Sequence, residues 1–132
     1  MVNQKEENHF LCLNLTVAQI ELLNGFFGEG KNPLAVLRLD KPDPLSGGNK
    51  SFKLKYNLLE MRDSGLNKLI TFGGAFSNHI AAVATAGKKN NFETIGIIRG
   101  EELNENSNPV LKYAVACGMK LVFVSREIYR SR

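Results

Sequence analysis

Two short runs of this 132-residue chain carry side chains whose types and spacing could do chemistry. The first is Leu-Ser-Gly-Gly-Asn-Lys-Ser-Phe-Lys-Leu-Lys-Tyr (45–56), in which Lys50 stands directly behind a Gly-Gly-Asn turn. The start of a helix and the neighbouring Lys53 and Lys55 both disfavour a further positive charge. An amine that spends time uncharged can attack an aldehyde and form a Schiff base. The second run is Thr-Phe-Gly-Gly-Ala-Phe-Ser-Asn-His (71–79). Gly73 and Gly74 let the backbone turn sharply and let a ligand come close, and a helix starting near Ser77 offers unpaired N–H groups and a positive dipole end to a carboxylate or phosphate. Ser77, Asn78 and His79 add a hydroxyl, an amide and an imidazole to the same place. Plainer readings stand beside these on residue types alone: three lysines as a solvated basic face, Ser77 or Asn78 as a helix cap, and His79 as an exposed side chain.

Several familiar signatures fail. A P-loop needs glycine immediately before its lysine, where Asn49 stands. Neither run contains G-x-G-x-x-G, and an esterase elbow around Ser77 would need glycines where Ala75 and His79 stand.

The elements around these runs alternate between two periods. Residues 16–25 (TVAQIELLNG) space Val17, Ile20 and Leu23 as a helix does, with Thr16 as cap and Gly25 as stop, so a helix is expected. Residues 33–40 alternate as a strand, and 41–49 form a turn dense in proline and glycine. Residues 51–65 place Leu54, Leu58 and Met61 on one helical face, leaving Lys50 in the preceding loop. Three short apolar strands follow, 68–74, 93–100 and 120–125, separated by helices over 77–90 and 108–118, and another helix begins at the chain's end. This β-α-β-α-β order means an α/β fold, a parallel sheet with right-handed crossovers and helices on both faces. Ligands in such sheets bind beyond the carboxyl ends of the strands, where 73–79 falls. Arg99 and Glu101 fall on that side too, as cleft residues or as ordinary surface charge.

Composition narrows the function classes. Hydrophobic residues make up 43% of the chain and charged ones 23%, enough for one buried core. The net charge of +4 is spread from Lys5 to Arg132 and forms no basic block, so nucleic acid is not an expected partner. No stretch approaches a membrane span, and none reads as a signal peptide. Cys12 and Cys117 have neither disulfide nor metal-ligand spacing, so no metal is expected and a reducing, cytoplasmic setting fits best. His9 and Cys117 carry no chemistry on this reading.

Taken together, SGGNKSFKLKYNL, TFGGAFSNHIAA about twenty residues later, and IGIIRGEE resemble the 1-aminocyclopropane-1-carboxylate deaminase/D-cysteine desulfhydrase family of pyridoxal-phosphate enzymes, from about Pro33 to Tyr129. The resemblance implies a tryptophan-synthase-β-like fold (fold type II), with 1–40 as the amino-terminal part of a large domain and 41–132 as part of the small α/β domain. It implies that Lys50 carries pyridoxal 5'-phosphate as a Schiff base, and that Asn49 and Asn78 lie against the cofactor, Asn78 at the ring's 3′-oxygen. It further implies that Ser77, with Gly74, Asn78, backbone amides and His79, holds the substrate carboxylate.

The same resemblance implies a small amino-acid substrate, release of ammonia and a 2-keto acid, and a homodimeric full-length form. The Ser-Asn-His run favours desulfhydrase or related lyase chemistry over ring opening. Family members are well over twice this length, and their glycine-rich phosphate cup and pyridine-nitrogen partner have no counterpart here. The chain is therefore expected to be an amino-terminal fragment, incomplete for catalysis. A non-catalytic binding fragment or remnant of such an enzyme is the alternative.

Overall fold

The computed structural model describes residues 19–23, 34–41 and 49–131, with Ser51 by its backbone alone. Thr16, Gly25, the two cysteine and histidine positions before residue 19, and the glycines of the Gly-Gly-Asn-Lys turn lie outside the described residues.

The first described elements are strands β1 (Gln19–Leu23) and β2 (Leu34–Arg38), paired antiparallel. The helix expected over 16–25 is thus a strand where it is described. Its residues fit the other period too: Ile20 and Leu22 share a face with their partners Leu37 and Ala35. On the opposite face Arg38 donates to Glu21 at 2.7 Å. Pairing with a distant segment, invisible to local periodicity, decides between the two patterns.

Helix α1 (Lys50–Asp63) follows, with Asn49 as its N-cap residue. Lys50 is therefore the first helical residue and not part of the loop before it; the turn reaches helical geometry one residue earlier than the apolar spacing indicates. Leu54, Leu58 and Met61 are buried along one face, at the expected spacing.

The remaining elements are β3 (Lys68–Gly74), α2 (Asn78–Asn90), β4 (Glu93–Arg99), α3 (Pro109–Ala116), β5 (Lys120–Val124) and the short α4 (Arg126–Arg130). The strands form a parallel sheet in the order β3-β4-β5, with Phe72 opposite Ile97 and Ile97 opposite Val122. The parallel α/β architecture expected from the sequence is the one observed. Strand order advances in one direction, so right-handed crossovers carry both α2 and α3 to the same face. There Ile80 and Val83 of α2, Ile98 of β4 and Leu111 of α3 are fully buried, and Leu54 and Leu58 of α1 join them in one core. Burying each such side chain contributes on the order of 1.5–3 kcal/mol.

Coverage of the two faces is unequal. The opposite face meets α4, whose Tyr129 ring stands edge-on to Phe72 with centroids 6.0 Å apart. Ile70 and Val122 on that face remain 54% and 46% exposed. No helix among the described residues is long and apolar enough to cross a membrane.

Candidate functional site

The site is built at the carboxyl end of β3. Its last residues, Gly73 and Gly74, lead through Ala75 and Phe76 to Ser77, whose N–H donates to the Gly74 carbonyl at 3.1 Å. Gly73 has to be glycine, because a Cβ there would run into the Ile80 side chain, 2.8 Å from its Cδ1 and closer still to its Cγ1. The close approach seats α2 directly on the strand end. Gly74 faces open space, with nothing within 4 Å of a Cβ. Asn108, buried at the start of α3, steadies the turn from the far side. Its Nδ2 donates to the Ala75 carbonyl at 3.2 Å, while its Oδ1 accepts from the Leu111 N–H at 3.0 Å and so caps α3.

Ser77 occupies the N-cap position of α2 in an extended conformation, yet its hydroxyl makes no cap hydrogen bond. The first turn of α2 therefore presents its amides without a side-chain cap, the state in which a helix start can take an anion. Asn78 is exposed beside it. His79 is half-buried and not the surface side chain of the plain reading: its Nε2 lies 2.9 Å from the hydroxyl of Thr71, a buried residue of β3.

Positive charge from α1 acts on the same place. His79 has its pKa pushed below the usual imidazole value first by burial, then by the positive charge of Lys50 and, after it, of Lys53. Lys50 and His79, separated by more than twenty residues of chain, are thus close enough for the charge of one to act on the other. Burial and cations both hold the imidazole neutral there.

Ser77 also lines a cleft of about 730 Å³ at the carboxyl edge of the sheet. Gly74, Ser77, Arg99, Glu102, Arg126 and Arg130 are among its walls, and Lys50 is not. Of the two residues expected at this edge, Arg99 lines the cleft and Glu101 does not. Thr71, Asn108, Arg126 and Arg130 were not identifiable as site residues from sequence; the i, i+4 spacing of Arg126 and Arg130, which puts them on one helical face, is the one local signal available. Among the described residues no group of three His, Cys, Asp or Glu side chains could hold a metal ion.

Comparison with known proteins gives this geometry a family. No family model matches the chain. A rice protein (Oryza sativa subsp. japonica) named as a mitochondrial D-cysteine desulfhydrase is 36% identical over 97 residues, 72% of this chain and 23% of that protein. A Thermotoga maritima protein named as a 1-aminocyclopropane-1-carboxylate deaminase is 33% identical over 94 residues, 71% of this chain and 30% of its relative. The chain is similar to members of the D-cysteine desulfhydrase/1-aminocyclopropane-1-carboxylate deaminase family. Members of this family are enzymes, generally dependent on pyridoxal phosphate. Among solved structures, a hydrogen sulfide-producing enzyme from Fusobacterium nucleatum superposes with a TM-score of 0.65 over 91% of this chain and 37% of its own, at 12% identity, a likeness of fold. The matched stretches cover less than a third of the curated relatives' length.

Proposed function

We propose that this chain supplies the lysine-bearing half of the active site of a pyridoxal-phosphate-dependent deaminase or desulfhydrase acting on a small amino acid. The observation that carries this reading is the convergence of Lys50 with the uncapped start of α2, read through their common neighbour His79.

The residues present fit the cofactor's aldehyde end and ring. Lys50 supplies a half-buried amine for the aldehyde, Asn78 an exposed amide for the ring's 3′-oxygen, and Asn49 a polar side chain beside the amine. The open space at Gly74 leaves room for a planar group against the backbone. A holder for the phosphate belongs, on this reading, to the part of the longer relatives that this chain does not span.

When bound, pyridoxal phosphate supplies an electron sink for charge developing at the substrate Cα. The chain's own groups do the rest. The Ser77 hydroxyl and the α2 amides hold the substrate carboxylate and so fix which Cα bond faces the ring. The Lys50 amine, which would hold the cofactor's aldehyde, would also be the base that takes the Cα proton. His79 is kept neutral and anchored by Thr71, so it offers a ring nitrogen or its backbone amide without adding a charge. A substrate with a leaving group on Cβ would lose that group along with its Cα proton, and water would hydrolyse the resulting enamine to a 2-keto acid and ammonia.

The test is chemical. Incubation with pyridoxal phosphate, borohydride reduction and peptide mass spectrometry should locate the adduct on Lys50, and Lys50→Ala should abolish it together with the visible absorption band that hydroxylamine discharges. An adduct spread evenly over Lys50, Lys53 and Lys55, or none at all, would overturn the proposal.

A further inference from the structure

The arginine-lined cleft is unused by the chemistry above. Arg99 ends β4 and pairs in register with Val124 of β5, which brings α4 and its two arginines alongside it. Arg126 and Arg130 stand one helical turn apart on α4 and line the same cleft. Three guanidiniums are thereby gathered against one carboxylate, Glu102, which lies 3.6 Å from Arg126. Among the described residues neither Arg99 nor Arg130 pairs with a carboxylate. Arg99 is held instead by a ring: its guanidinium carbon lies 5.8 Å from the centroid of Tyr129, which itself stands edge-on to Phe72. Stacking on a ring face uses the plane of the guanidinium and leaves its N–H donors directed outward.

We propose that this cleft receives a second anionic group on the substrate, so that the amino acid handled here carries a carboxylate, sulfonate or phosphate at the end of its side chain. The inference rests on the function proposed above. Ser77 joins the two, because it belongs both to the cleft wall and to the helix start assigned to the α-carboxylate. A substrate anchored there by its α-carboxylate lies against a wall of the cleft. A volume of about 730 Å³ holds a small dicarboxylate easily. Guanidinium forks match the oxygens of all three anions. A neutral side chain would leave the gathered positive charge without a counterpart.

The experiment is titration of this chain, with and without bound pyridoxal phosphate, by aspartate and cysteate of either hand against alanine and serine. Binding is followed by NMR at the Ser77 amide and the arginine Nε–H signals. The anionic amino acids are expected to bind about tenfold or more tightly than alanine and to shift Arg99 and Arg130, while alanine shifts Ser77 alone. Arg99→Gln and Arg130→Gln should each remove most of that advantage and leave alanine binding unchanged, and Arg99→Lys should restore part of it. The amide spectrum of each variant reports its fold, and Arg130, exposed on α4, is the substitution least able to disturb it. Aspartate and cysteate binding no tighter than alanine, or tight binding indifferent to both glutamine variants, would overturn the proposal. A normal adduct at Lys50 without discrimination sinks the cleft assignment alone; discrimination retained without an adduct sinks the cofactor reading alone.

Discussion

Thr71 Oγ1 and His79 Nε2 lie 2.9 Å apart, tying the middle of a parallel strand to the first turn of the helix that follows it. The bond spans the glycine turn and fixes the imidazole at the start of α2. Thr71→Val keeps the shape and removes the hydroxyl, at a cost of about 1–2 kcal/mol because a half-buried ring nitrogen loses its partner. Denaturant unfolding should show the midpoint move down with the slope unchanged.

The direction of the His79 shift gives stability a pH dependence. Burial, then Lys50, then Lys53 lower its pKa in the folded state from 6.5. The unfolded chain therefore takes up a proton at higher pH than the native one, and stability falls as pH drops below 6.5 toward the lower native value. Above 6.5 the ring is neutral in both states and contributes no slope. Thermal melts between pH 8 and 5 should show wild type losing more stability on acidification than His79→Gln. A parallel loss in the two proteins would count against a perturbed His79.

Lys50 can be weighed through the same ring. Removing its charge in Lys50→Ala should raise the His79 pKa toward the ordinary value, read from the imidazole proton shifts in an NMR titration. Lys53→Ala should act in the same direction by less, as it is the smaller of the two cationic influences, and added salt should mimic part of both. An unchanged titration in Lys50→Ala would separate Lys50 from the Ser77–His79 turn and with it remove the basis of the proposed function.

Much of this arrangement was legible in the sequence, for an identifiable reason. The runs KLITFGG, ETIGIIRG and KLVFVS are short, apolar and bounded by glycine or helix caps, so each local preference agrees with the fold. The glycine turn and Ser-Asn-His fell where parallel sheets bind ligands. Failures arose where distance decides. Gln19–Leu23 became a strand through pairing with Leu34–Arg38, and Arg99 met Arg126 and Arg130 only through the β4–β5 register. The contact between Asn108 and Ala75, 33 residues apart, left no local trace at all.

Asn108 separates capping from site support. Its Oδ1 caps α3 while its Nδ2 holds the Ala75 carbonyl, so Asn108→Ala loses both and should cost about 1–2 kcal/mol from the cap alone. Asn108→Asp keeps an acceptor for the Leu111 amide but turns a second oxygen on the Ala75 carbonyl. Hydrogen exchange should then quicken at Phe76 and Ser77 in both variants, with global stability lost chiefly in the alanine. Equal exchange in Asn108→Asp and wild type would show that the turn holds without this bond.

The two glycines of the turn should respond oppositely to the same added methyl group. In Gly73→Ala the Cβ collides with Ile80, which is fully buried and cannot yield without disturbing the core beneath β4. Overpacking of this kind costs about 1–3 kcal/mol, a drop of roughly 3–12 °C in Tm for a domain of this size. Gly74→Ala meets nothing within 4 Å, and its φ is not among the positive ones, so its melting temperature should stay close to wild type. Its methyl group would instead project into the space between the turn and any bound ligand. Calorimetry together with adduct formation at Lys50 therefore distinguishes the two: Gly73→Ala lowers Tm, whereas Gly74→Ala preserves Tm and weakens cofactor uptake. A Gly74→Ala protein that melts and binds as wild type does would show that the open side of the turn is not where the ligand lies.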